Sequence, residues 1–147
     1  MLTYGVNDFN VGLYAASYGG HLDIVKLMIE LGADEWNDAL PVSCIGGHED
    51  IVELLIQKGA DNWNEALDQA CRGGHMDTIE LLIKQGADDW NEGLCSACRG
   101  GHINAAKLMI EHGANDWENA HNCCLISGSK SMQTFLHHYK TIVQTAD

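Results

Sequence analysis

Apolar positions along this chain follow the helical period in short bursts that glycines cut off. Leu67, Ala70 and Cys71 fall on one side of a helix, and Trp63 points the same way. Glu65, Asp68, Gln69 and Arg72 fall on the other. Asn64 suits the N-cap of that helix, and Glu65 suits the positive end of its dipole. Gly73-Gly74 stops it, because a turn that needs a left-handed residue favours one without a Cβ. A second burst follows through Asp77, Ile79, Leu81, Leu82 and Ile83 and ends at Gly86. The pattern predicts helix A over 65–72, a turn, and helix B up to 86.

The pair recurs at a fixed step. Gly-Gly-His ends at His21, His48, His75 and His102, a spacing of 27 residues. Gly-Ala-Asp begins at Gly32, Gly59 and Gly86, with Gly113-Ala114-Asn115 as the fourth instance, and Trp36, Trp63, Trp90 and Trp117 keep the same register. Stepping back from Trp36 lands on Phe9, and stepping forward from His102 lands on Ser129. The chain is therefore read as one domain, 1–147, of five copies (about 5–31, 32–58, 59–85, 86–112 and 113–139) with a short tail, 140–147. Lys26/Glu30, Glu80/Lys84 and Lys107/Glu111 have the spacing of ion pairs on a solvated helix B face. A single helix pair cannot bury its apolar face alone, so the copies must stack, and terminal copies must change to meet water. His121 and His137 stand in the last copy where the others carry Leu and Ile, which predicts a C-terminal cap.

These motifs resemble the ankyrin repeat over essentially the whole chain. The stretch GGHLDIVKLMIELGAD, residues 19–34, and its copies are similar to that family's Gly-His turn, its Ile-Val-x-Leu-Leu-Leu helix and its Gly-Ala-Asp. The resemblance implies an all-α, ankyrin-like helical solenoid that binds another protein. The usual repeat has about 33 residues and opens helix A with Thr-Pro-Leu-His. Here Trp-Asn-Glu-Ala-Leu takes that place, and about six residues are missing where the family projects a β-hairpin. The hairpins are thus expected to be trimmed to tight turns, which throws binding onto the concave helix A face. Repeats this short are similar to those of ankyrin proteins in large DNA viruses.

The chain carries 21 Asp and Glu against eight Lys and Arg, a net charge near −13. Such a surface repels phosphate backbones and anionic lipid, so the expected partner is a protein with basic and apolar surface, not nucleic acid or a membrane. No apolar run reaches the roughly 18 residues of a membrane helix. Met1-Leu2-Thr3-Tyr4-Gly5 lacks the basic and apolar regions of a secretion signal. All six cysteines are accordingly expected to be reduced, in a cytoplasmic or nuclear, non-secreted monomer.

Outward helix A positions are Val11, Tyr14, Ala15 and Tyr18 in the first copy and Asp38, Pro41, Val42 and Ile45 in the second. The fourth offers Glu92, Cys95, Ser96 and Arg99, and the fifth Asn119, Asn122, Cys123 and Ile126. The apolar and aromatic members resemble the core of an interface. Tyr14, Tyr18, Val42 and Ile45 are the candidate anchors, with Arg72 and Arg99 pairing acidic groups beside them. The competing reading is that Met1 to Tyr4 fold over this patch as a cap. Pro41 falls inside helix A of the second copy, which is expected to start late or bend there.

Nothing in the sequence assembles a catalytic constellation, so no enzyme activity and no cofactor are expected. Histidines repeated on neighbouring helices stand too far apart to share a zinc ion, and each is expected to tie down its own turn. Cys98 shares the register of Cys44 and Cys71, and Cys124 that of Ala16, Ser43, Ala70 and Ala97, which are core positions. Cys95 and Cys123 read as outward-facing and unexplained by packing, so a small zinc- or redox-responsive module built on them is the alternative function. The tryptophans are expected to fill the seam left by the missing hairpins.

Overall fold

The computed structural model describes residues 6–146, with side chains from Phe9 onward. They form ten helices: α1 (Val6–Gly19), α2 (Leu22–Glu30), α3 (Trp36–Ile45), α4 (Glu49–Lys58), α5 (Trp63–Gly73), α6 (Met76–Gln85), α7 (Trp90–Gly100), α8 (Ile103–Glu111), α9 (Trp117–Ser127) and α10 (Lys130–Thr145). No strand occurs among the described residues. Each odd-numbered helix pairs with the even one after it, and α1, α3, α5, α7 and α9 pack in a continuous row. The outer helices α2, α4, α6 and α8 touch one another only lightly. The array therefore bends with its helix A row on the inside. The reading of Met1 to Tyr4 as a cap lies outside the described residues.

Packing follows the 27-residue register. Leu13, Leu40, Leu67 and Leu94 are fully buried on the A row, as are Val25, Val52, Ile79 and Ala106 on the B row. One pair of positions shows how tightly this core is filled. Helix A carries Gly12, Ala39, Ala66, Gly93 and Ala120, facing Met28, Leu55, Leu82, Met109 and Leu136 of helix B. Glycine occurs where the facing residue is methionine, and alanine where it is leucine. A Cβ at Gly12 would meet the Met28 sulfur, and one at Gly93 would meet that of Met109. Volume is traded across the pair, as close packing requires.

Turns between the helices of a pair also depend on the neighbouring copy. Gly20, Gly47 and Gly74 have φ of 76°, 69° and 73°. A Cβ at any of them would strike the ring of His48, His75 or His102 from the next copy. His48 Nε2 donates to the Tyr18 carbonyl at 3.2 Å, and His75 Nε2 to the Ile45 carbonyl at 3.0 Å. His48 and His75 thus tie their copies to the preceding one and do not tie down their own turns, and the His102 ring lies over Gly74 in the same way. A ring is long enough to cross the gap that two adjacent glycines leave open.

Asn64 also works between copies. The helix it was expected to cap begins at Trp63, with Asn62 at the N-cap. Asn64 lies one residue inside it and reaches the loop after helix B. Its Oδ1 accepts from the backbone N–H of Asp88 at 2.8 Å and of Asp89 at 3.1 Å, while its Nδ2 donates to Asp88 Oδ1 at 3.1 Å. Asn10 clasps Asp34 and Glu35 in the same way, and Asn91 clasps Asn115 and Asp116. Asn37 holds Asp61 through its backbone N–H and its carboxylate. Four clamps of one type hold the loops at 31–35, 59–62, 86–89 and 112–116, where no hairpin exists. Trp36, Trp63, Trp90 and Trp117, each opening its helix, lie half-buried against the core beside them.

The second copy neither starts late nor loses its register at Pro41: α3 begins at Trp36, matching α5, α7 and α9. A proline here frees the carbonyl four residues earlier, that of Asn37. Asn62 Nδ2 from the next copy donates to that carbonyl at 2.7 Å. Glu35, Asp89 and Asp116 stand at the equivalent place in other copies and offer no such donor. At the far end, α10 runs to Thr145, so most of the expected tail is helical. Lys140 occupies the register of Gly32, Gly59, Gly86 and Gly113, so the residue that ends helix B elsewhere is missing.

Two stability measurements follow from this packing. Asn64→Ala leaves the N–H groups of Asp88 and Asp89 without their acceptor and is expected to cost about 1–3 kcal/mol in denaturant unfolding. Gly93→Ala alone is expected to destabilise by about 1 kcal/mol despite its better helix propensity. Combined with Met109→Leu it should instead stabilise by about 1 kcal/mol, reproducing the alanine–leucine pairing of the second and third copies.

Candidate functional site

Helix A side chains that do not enter the core line the concave side of the array. Across α1, α3 and α5 they leave an open cleft of about 410 Å³ lined by Tyr14, Asp38, Pro41, Val42, Glu65 and Gln69. A second hollow, lined by Asn10, Val11, Tyr14, Glu35 and Asp38, adjoins it and shares Tyr14 and Asp38. Tyr14 stands between the two with 48% of its surface exposed. The stacking step of the solenoid builds this cleft, since each wall is the same turn of successive A helices.

The structure brings Tyr14 and Val42 together in the cleft. Tyr18, 62% exposed, and half-buried Ile45 lie one turn further along their helices and do not line it. Arg72 and Arg99 are exposed. Arg99 reaches Glu92 of its own helix at 3.7 Å, the one ion pair within 4 Å among the described residues. Lys26/Glu30, Glu80/Lys84 and Lys107/Glu111 therefore share helix faces without forming contacts. Glu35, Asp38 and Glu65 border the cleft or the hollow beside it, and none of them makes an ion pair within 4 Å among the described residues. These carboxylates and Gln69 are the lining residues that a search for apolar anchors passes over. Their signal was available, because all of them occupy outward positions of the helix or its entry.

The cysteines divide into two groups. Cys44, Cys71, Cys98 and Cys124 are free thiols buried in the core. Burial pushes the Cys44 thiol up to about 12, against a weaker opposing hydrogen bond with Ser43. Cys71 is likewise pushed up to about 12 by burial, with the nearby Asp68 charge adding to it. Burial also raises Cys98 and Cys124, which lie against each other.

Cys95 and Cys123 depart from the expectation of outward-facing, reduced side chains. They are buried and joined to each other in a disulfide, with Cα atoms 5.5 Å apart. The helical wheel points them away from the core, but α7 and α9 cover them from either side. An all-thiol chain is thus no longer a premise for the compartment. Both sulfurs are bonded, and no group of three His, Cys, Asp or Glu is arranged to hold a metal ion among the described residues, so the zinc alternative gains no support. No helix of the described residues is long and apolar enough to cross a membrane.

At the C-terminal end, Trp117, His121, Gln133, Leu136, His137 and Lys140 line a smaller hollow of about 220 Å³ between α9 and α10. His121 and His137 are exposed there, on the face that inner copies bury against a following repeat.

The family model for ankyrin repeats, spanning three copies, matches residues 12–92. No curated protein matches the chain.

Thiol chemistry provides a check on the core. At pH 8 a thiol with a pKa of about 12 is ionised in only about one molecule in ten thousand, and thiolate is the reactive form. The raised folded-state pKa values predict that Cys44 and Cys71 resist iodoacetamide in the native protein and react at ordinary thiol rates once guanidinium unfolds it. Peptide mapping of the alkylated protein, native against unfolded, measures the difference.

Proposed function

Because the chain belongs to the ankyrin repeat family, we propose that it is a non-catalytic adaptor or sequestering protein that holds a partner on its concave helix A face. Ankyrin repeats are in general protein–protein interaction modules. The observation that carries the reading is the cleft across α1, α3 and α5, where Tyr14, Pro41 and Val42 stand among Asp38, Glu65 and Glu35. Apolar and aromatic surface rimmed by carboxylates suits a protein segment that offers both apolar side chains and Lys or Arg.

Tyr14 is the central anchor in this proposal, with Val42 as the apolar wall. Tyr18 and Ile45 extend the contact along the next turn. Arg72 and the Arg99–Glu92 pair lie further along the face and provide orientation, since exposed charges at an interface rim contribute little affinity. The net charge of −13 favours fast association with a basic partner, weakened by salt. The protein acts as a monomer in this reading.

The test is affinity capture from cell lysate, read by mass spectrometry, with circular dichroism confirming that the variants fold. Tyr14→Ala combined with Asp38→Lys changes two exposed side chains and is expected to weaken the captured partner's affinity at least tenfold. Tyr18→Ala should have a smaller effect in the same direction. Capture of the same partner with unchanged affinity by both variants would exclude the cleft, and capture of nothing specific would count against the adaptor reading.

A further inference from the structure

The disulfide occupies a place that the repeat itself defines. Cys95 shares the register of Tyr14, Pro41 and Asp68, and Cys123 that of Val42, Gln69 and Ser96. Between α5 and α7 this pair of positions holds Asp68 and Ser96, whose hydroxyl donates to the carboxylate. Between α7 and α9 it holds Cys95 and Cys123. The stacking step thus places these two side chains against each other at every junction, and only at the last does chemistry allow a covalent bond.

That last junction also lacks ties present at the others. Ser129 stands where His48, His75 and His102 stand, so no imidazole reaches from the fifth copy across the turn of the fourth. Ser129 caps α10 instead, accepting from the Met132 N–H at 3.3 Å. The outer helices α2, α4, α6 and α8 touch in sequence, but α10 makes its principal contact with α9 alone. The Asn91 clamp and the α7–α9 packing remain, with the disulfide added to them.

We propose that Cys95 and Cys123 are a reversible redox modification site, a staple whose oxidation docks the C-terminal pair α9–α10 onto α7 and whose reduction loosens it. The reactant is a low-molecular-weight disulfide of the glutathione class. One cysteine thiolate attacks its sulfur, forming a mixed disulfide and releasing one glutathione thiolate. The other cysteine then displaces the second glutathione, so two cysteine thiols lose two electrons and two protons while one glutathione disulfide becomes two thiols. Reduction runs the same exchange backwards.

Cys95 is 0% and Cys123 2% exposed. Exchange therefore requires α9 to move off α7, a local opening that a terminal pair packed on one side only can make without disturbing a further copy. Cys98 and Cys124 lie in the same junction, but their burial disfavours the thiolate, which limits shuffling of the staple to them. The proposal is independent of the partner reading, since it requires nothing to bind the concave face.

The experiment equilibrates the protein with oxidised or with reduced glutathione, then counts free thiols by maleimide mass shift in guanidinium. Four thiols are expected after oxidation and six after reduction, with peptide mapping linking residues 95 and 123. Hydrogen exchange read by mass spectrometry should show amides of α9 and α10 exchanging at least tenfold faster in the reduced protein, with α3 to α6 unchanged. The melting temperature should fall by about 5–10 °C on reduction. Cys95→Ser with Cys123→Ser should behave as the reduced form in both buffers, and Cys123→Ala alone serves if the double variant does not fold. Six thiols under oxidised glutathione, a crosslink between other cysteines, or equal exchange of α9–α10 in both states would overturn the proposal.

Discussion

A repeat of 27 residues has no length to spare for a hairpin, and the backbone amides at the start of each loop need an acceptor. One carboxamide from each of the first four copies supplies it. An asparagine near the start of helix A is anchored by the helix and points at the loop that opens the next copy. Its oxygen accepts backbone N–H groups there while its nitrogen donates to the carboxylate or amide side chain of the same loop. Aspartate would set a second negative charge against Asp34, Asp61 and Asp88, and an apolar residue would leave the N–H groups bare. The geometry of the array rests on this contact, because it fixes where each A helix begins relative to the last. The row of A helices, and with it the cleft, inherits that spacing.

Other ties between copies follow the same economy. A ring from one copy crosses the glycine pair of the one before and finds a main-chain carbonyl, and a proline in the second copy is matched by an amide from the third. The result is a scaffold whose interior and loops are satisfied largely without ion pairs. Its carboxylates are left on the surface and, at the first three A helices, around a patch with tyrosine at its centre. Among the described residues the carboxylates around that patch make no ion pair, so the acidic balance does little to hold the fold together.

The repeats, the two helices of each copy, the buried leucines and the four core thiols were all legible in the sequence, since periodicity within one helix specifies them. So was the exposure of Tyr14 and Tyr18. Misread residues share a different property. Asn64 reads as part of its own helix, His48 and His75 of their own turns, and Cys95 and Cys123 as facing solvent, yet all three kinds of side chain act on the adjacent copy, 24 to 30 residues away. A helical wheel treats everything outside one side of a helix as water, and in a row of helices the adjoining side is another helix. The exchange of alanine–leucine for glycine–methionine was also visible in the five aligned copies, but only the packed structure shows that those positions touch. Pro41 misled because its cost depends on whether the freed carbonyl finds a donor, and that donor comes from another repeat.

Every tie that holds this array joins a copy to its immediate neighbour, and the same two kinds of position meet at each junction. That property has a bearing on how such a chain can lengthen. A tandem duplication of one whole 27-residue unit, made anywhere among the inner copies, carries its own asparagine, glycine pair and histidine and lands each opposite a correct counterpart. A duplication of any other length puts the clamps out of step with their loops. Gene growth by whole units is thus nearly free of new packing conflicts, except where local pairings such as Pro41 with Asn62 or Cys95 with Cys123 would be separated. Those pairings, with that of Asp68 and Ser96, mark the junctions at which these copies are not interchangeable.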